Sequence, residues 1–132
     1  MWFWLIGFLK HTLEKVYVLA YNTFMKERVI EFFKINGKEP LQDWLNSLDK
    51  TSQVRILERF NRCKSGKLGD FKNIDTEISE LRFKFGSGYR VYYSEINNIL
   101  LLLICGGDKS TQTKDIKKAK EYLKIWKDYK NE

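Results

Sequence analysis

The sequence predicts an α+β domain in the order β-α-α-β-β-β-α, with an antiparallel sheet packed on helices at one face. Three observations predict it. Ile78 to Lys109 alternates apolar and polar residues through two strands and then becomes continuously apolar through a third. Two amphipathic helical patterns precede that stretch, and a lysine-rich one follows it. The chain has 132 residues, enough for one domain with its own core, and 15% of them are aromatic. Its net charge of +7 suits a phosphate-rich partner or an acidic protein. Cys63 and Cys105 both lie in apolar patterns, which fits buried reduced thiols in a cytoplasmic protein better than a disulfide framework. His11 is the only histidine and stands outside the patterned region, so the residues do not point to histidine acid–base chemistry or a histidine-rich metal site.

Residues 1–24 are set apart as an apolar N-terminal extension. They are apolar or glycine after Met1 up to Lys10, interrupted by Lys10, His11, Glu14 and Lys15, and apolar again from Val16 to Tyr21. A spanning helix needs about 20 mostly apolar residues, and the interruption falls at the midpoint. No charged start with a cleavage site marks a secretory signal. A membrane-surface helix, an extra core helix and an upstream extension of the reading frame all remain open. The last is preferred, because Met25 directly precedes the first segment that reads as folded; the domain is then 25–132, and membrane contact is expected only if residues 1–24 are translated.

Arg28 to Phe33 reads as a strand ended by Asn36-Gly37. Pro40 suits a first helical position, and Leu41, Trp44, Leu45 and Leu48 recur at i, i+3, i+4 and i+7. Asp49 caps a second helix running to about Lys64, with Ile56, Phe60 and Cys63 inward. Arg55, Arg59 and Arg62 form one basic stripe on it, either a solvated face or a phosphate or partner contact. Residues 65–73 read as a loop. In the hairpin, Leu81, Phe83 and Phe85 share one face, while Glu80, Arg82 and Lys84 share the other. A turn centred on Ser87 pairs Phe85 with Tyr89, Phe83 with Val91, Leu81 with Tyr93, Lys84 with Arg90 and Arg82 with Tyr92. Like charges placed opposite each other cost a few tenths to about 1 kcal/mol, so an anionic ligand is the natural counterpart of Arg82, Lys84 and Arg90. The plainer alternative is a solvated open face. Ile99 to Cys105 reads as a strand covered on both faces, and Gly106 to Thr111 turns into a helix capped by Ser110 or Thr111. Along that helix Ile116, Ala119, Leu123 and Trp126 face inward, and Lys117, Lys118, Lys120, Lys124 and Lys127 face outward.

Four pieces, LQDWLNSLD, RILERFNRCKSGKLGDFK, ELRFKFGSGYRVYY and LLLICGGDKSTQTKDIKKAKEY, together resemble the RelE/ParE superfamily of type II toxin–antitoxin toxins. The resemblance is greatest to the HigB-like "addiction module killer protein" branch, and it covers nearly all of the chain beyond the extension. It implies a RelE-like fold and a toxin held inactive by a cognate helix-turn-helix antitoxin of the HigA type. Active members cut mRNA, often on the translating ribosome, without metal or cofactor. By position, Arg90 matches the strand arginine on the scissile phosphate, Arg82 the basic residue on the preceding strand, Lys109 the residue serving the leaving group, and Lys72 a basic loop residue. Asp115 stands where RelE-type enzymes carry a tyrosine, a departure shared with HigB-type toxins that leaves the stacking part of the RelE mechanism in question.

The implied reaction is attack of a ribose 2′-hydroxyl on the adjacent phosphate, which needs a base, cations for the developing charge and an acid for the leaving oxygen. With no histidine available, a lysine serves as base, helped by neighbouring cations that loosen its proton. Arg90 and Arg82 are assigned to the phosphate, Lys72 or Lys84 to the base and Lys109 to the acid. Lys84, Tyr92, Arg55, Arg59 and Arg62 are assigned to RNA contact. A ParE-like gyrase poison, or a degenerate toxin that only binds antitoxin or nucleic acid, are the alternatives.

Overall fold

The apolar run near the end of the chain becomes the hub of a mixed sheet. The computed structural model describes residues 2–24 and 27–131; Met25, the expected start of the domain, lies outside the described residues. Helix α1 spans Trp2–Phe24, followed by β1 (Val29–Phe32), α2 (Pro40–Asn46), α3 (Lys50–Lys64), β2 (Phe71–Asn73), β3 (Ser79–Arg82), β4 (Arg90–Ile96), β5 (Leu100–Gly107) and α4 (Gln112–Lys130). The α+β class is as expected. The strand order is β1-β5-β4-β3-β2, so β5 lies between β4 and β1.

Three expectations need correction here. The sheet is not wholly antiparallel, because β1 runs parallel to β5 with Val29 opposite Leu100. Phe71–Asn73, read as loop, is a fifth strand on the edge, with Lys72 opposite Glu80. Helices cover both faces rather than one. α2 and α3 pack Leu41, Leu45, Ile56, Phe60 and Cys63 against Leu81, Val91, Tyr93, Leu101 and Leu103. On the opposite face α4 packs Ala119 and Leu123 against Tyr92, Leu102, Ile104 and Cys105. An all-apolar strand in the middle of a sheet needs cover on both sides, and β5 receives it.

The helical elements follow their sequence signals. Pro40 opens α2, and the Asp49 carboxylate accepts from the Ser52 amide at 3.0 Å to cap α3. Asn36 and Gly37 both take positive φ in the turn that bridges Ile35 and Lys38. Thr111 stands at the N-cap of α4, one of the two expected positions, without a side-chain cap bond; ahead of it Asp108 accepts from the Ser110 amide and the Asp108 amide donates to the Thr111 hydroxyl, a capping box on a 3₁₀ turn over Lys109–Thr111. Both cysteines are buried and unpaired by disulfide. Residues 2–20 of α1 are exposed, including Trp2, Phe3 and Trp4, so α1 is not an additional core helix. Among the described residues no helix is long and apolar enough to cross a membrane.

Candidate functional site: a basic cleft at the hairpin end of the sheet

The hairpin carries the cations, but in a register two residues from the expected one. Leu81 pairs with Val91, Arg82 with Arg90 and Glu80 with Tyr92. A shift of two keeps every side chain on its face, so the apolar set still faces α2 and α3. The cause is aromatic packing in a wider loop. Phe85 and Tyr89 meet edge to face at 5.7 Å, and Tyr89 meets Trp44 at the same distance, instead of Phe85 and Tyr89 pairing across strands. Gly86 lies under the Tyr89 ring with φ +59, where a Cβ would come within 2.4 Å of the ring. The Phe83 amide then closes the loop on the Tyr89 carbonyl at 3.0 Å.

Beyond the loop, the end of β5 is fixed by two close approaches. A bulge after Tyr92 resets the phase of β5, leaving Ile104 and Cys105 both toward α4. Gly106 therefore faces Trp44 of α2, and Gly107 faces Asp115 of α4. A Cβ at Gly106 would meet the indole at 2.3 Å, and one at Gly107 would meet the Asp115 carboxylate at 1.8 Å. Asp115 also accepts from the Thr111 hydroxyl at 2.5 Å, so it braces the turn into α4. The Ser87 hydroxyl donates to Asp108 at 3.0 Å, tying the hairpin tip to that same turn.

These constraints bring Arg82, Lys84, Arg90 and Lys109 around one cleft of about 400 Å³, together with Asp70, Phe83 and Gly88. Asp70 is the single carboxylate among the lining residues. A second depression of about 500 Å³ shares Asp70, Arg82, Phe83 and Lys84 and adds Arg55, Glu58, Arg59, Arg62 and Phe85. The basic surface thus runs from the start of α4 to the outer side of α3.

The two strand arginines are held differently. Arg82 grips Asp70 through Nη2 at 3.0 Å and Nε at 3.3 Å, with both side chains about one-third exposed. Arg90 is nearly enclosed, its side chain 13% exposed; its Nε lies 3.5 Å from Oε2 of Glu80, itself 1% exposed. Arg90 Nη1 donates to the Gly88 carbonyl at 3.0 Å, and the Gln112 amide donates to Glu80 at 3.1 Å.

Three expected site residues stand elsewhere. Tyr92 is fully buried beneath α4 and cannot stack on a base; burial and the facing Glu80 push its hydroxyl pKa upward. Arg59 is 8% exposed and donates to the carbonyls of Leu68, Asp70 and Arg82 at 2.7, 2.6 and 2.8 Å. It staples α3 to the sheet, and the expected open stripe is reduced to Arg55 and Arg62, with Arg55 stacked on Phe85 at 3.9 Å. Lys72 is exposed on the edge strand and does not line the cleft, where Lys84 does. Glu80, Asp70 and Gln112 were not read as site residues. Glu80 left a signal, being the lone acid on the strand face shared with Arg82; Asp70, after a glycine in a loop, left none. Among the described residues, no group of three His, Cys, Asp or Glu side chains is placed to hold a metal.

A protein of Haemophilus influenzae (strain ATCC 51907 / DSM 11121 / KW20 / Rd), described as an uncharacterized protein, is 47% identical over 78 residues, or 58% of this chain and 79% of that protein. The two belong to one family. No family model matches the chain. That family membership carries no activity with it.

Proposed function

We propose that the chain is the toxin of a type II toxin–antitoxin module, of the RelE/ParE superfamily and its HigB-like branch, and that it blocks translation in the cytoplasm by cutting mRNA on the ribosome. The observation that carries this reading is the gathering of Arg82, Lys84, Arg90 and Lys109 from two strands, a loop and a helix start around one cleft with a single lining carboxylate. Arginines there bind a phosphodiester through paired N–H groups and stabilise the charge that builds on it. Lys84 takes the proton from the 2′-hydroxyl as the O2′–P bond forms. Lys109 gives a proton to the departing O5′ as the P–O5′ bond breaks, leaving a cyclic phosphate and a 5′-hydroxyl. Lys84 replaces Lys72 as the base because it lines the cleft. The adjoining Arg55 and Arg62 extend the contact along the RNA strand. A helix-turn-helix antitoxin is the expected protein partner.

One observation favours the purely binding alternative: both strand arginines already have carboxylate partners, Asp70 and Glu80. Inducing the full chain in a bacterial host beside Arg90→Ala separates the readings. Growth arrest with new mRNA 5′-hydroxyl ends that fall roughly 100-fold in the variant is expected for loss of one charge-stabilising donor. Arrest without new RNA ends would shift the reading to a gyrase poison, and absence of arrest from soluble protein to a binding module.

A further inference from the structure

The charged group most deeply enclosed at this end of the molecule is Glu80, at 1% exposure on the solvent-avoiding side of the cleft wall. Isolated carboxylates are not left in such places without partners, because desolvation of the charge is too costly. Glu80 has two: Arg90 Nε at 3.5 Å and the Gln112 amide at 3.1 Å. Gln112 is the first residue of α4, so the helix start and the carboxylate are built as one unit. Arg90 Nε is itself buried, and its contact to Glu80 is an ion pair rather than a well-formed hydrogen bond. The other edge of the guanidinium is steered by the Gly88 carbonyl through Nη1. An arginine clamped at Nε from beneath and at one Nη from the side has few orientations left, and Arg90 lines the cleft.

We propose that Glu80 is a positioning residue: its buried carboxylate, braced by Gln112, presets the orientation of Arg90 toward an anion already held in the cleft. Asp70 does not share this role, since its side chain is about one-third exposed and it pairs with Arg82 rather than Arg90. The inference rests on the RNA reading for its catalytic consequence only. Preorganisation of this kind acts on the reacting geometry more than on encounter, because a misplaced group costs rate while the attraction of the cleft for phosphate survives.

The test uses the full chain, wild type beside Glu80→Gln, with Gln112→Ala as a second variant. The Arg90 Nε–H signal in ¹⁵N NMR, assigned by its loss in Arg90→Lys, is expected to be sharp and slowly exchanging in the wild type. In Glu80→Gln it moves to the shift and exchange rate of a solvated arginine while the backbone amide spectrum is retained; in Gln112→Ala it broadens. On a single-stranded RNA and on ribosome-bound mRNA, Glu80→Gln cuts about 100-fold more slowly, yet binds RNA as tightly as the wild type or tighter, having lost a negative charge. An Arg90 signal unchanged in Glu80→Gln overturns the proposal. So does a fall in rate and affinity together in proportion to folded protein, which marks a merely structural role. Wild-type protein that binds RNA without cutting it overturns the proposed function, while the Arg90 signal still decides the role of Glu80.

Discussion

Arg59 shows how misleading a residue can be when only its spacing is visible. By position it belongs with Arg55 and Arg62, yet its guanidinium donates to the carbonyls of Leu68, Asp70 and Arg82 and so ties α3 to the sheet. Burial also pulls its pKa below the usual arginine value, without removing its charge. Lysine offers a point charge in place of a planar fork, so Arg59→Lys should cost about 2–4 kcal/mol in urea unfolding, and a loss under about 1 kcal/mol would show that the three bonds carry little. Asp70→Asn tests the opposite kind of residue. Its backbone carbonyl still receives Arg59 and the Arg82 amide, and the asparagine oxygen can still face Arg82. Removing the one lining carboxylate should tighten RNA binding and steepen the logarithmic salt dependence by about 0.7, the value for one further phosphate contact on a single strand. An unchanged slope in fluorescence anisotropy would place Asp70 outside the RNA path.

At the scale of elements, what could be read in advance follows from periodicity. α2, α3 and α4 were legible because a helix repeats every 3.6 residues and Leu41, Leu45, Ile56, Phe60, Ala119 and Leu123 keep that repeat. The faces of the hairpin were legible because parity survives a two-residue slip; its register was not, since Phe85, Tyr89 and Trp44 decide it through space. Phe71–Asn73 is too short to alternate visibly. The strand cations of the cleft were readable from the strand face, whereas the counter-ion of Arg82 and the brace on Glu80 depended on the fold bringing Asp70 and Gln112 to them. The turn after β5 offers a direct test of one such through-space constraint. Gly106→Ala should destabilise by about 1–3 kcal/mol through the indole it strikes. Much of that loss should disappear when Trp44→Leu is added, giving a coupling energy in a double-mutant cycle above about 0.5 kcal/mol. Additive effects would mean that α2 yields at no cost.

For the molecule as a whole, the buried thiols and phenols set its behaviour in alkali. Burial pushes the Cys105 thiol from 9.0 up to about 12 and the Tyr93 hydroxyl from 10.0 up to about 12. These raised groups contribute stability that is fully present below their unfolded values and is lost as pH rises toward their folded ones. The unfolding free energy should therefore decline between pH 9 and 12, and Cys105 should stay unreactive to a thiol reagent until the protein opens. A thiol that reacts rapidly at pH 8 in the folded protein would contradict the burial. The sheet order has a consequence in time as well. β1 leaves the ribosome early, but its neighbour in the sheet is β5, and Val29 waits for Leu100. At about 5–20 residues per second of synthesis, the chain spends seconds with β1 unpaired and the cleft unmade. Lys109 follows β5. A product cut short before Leu100 therefore lacks both the strand that completes the sheet and the lysine that completes the cleft, so a nascent or truncated chain cannot assemble the four-cation surface.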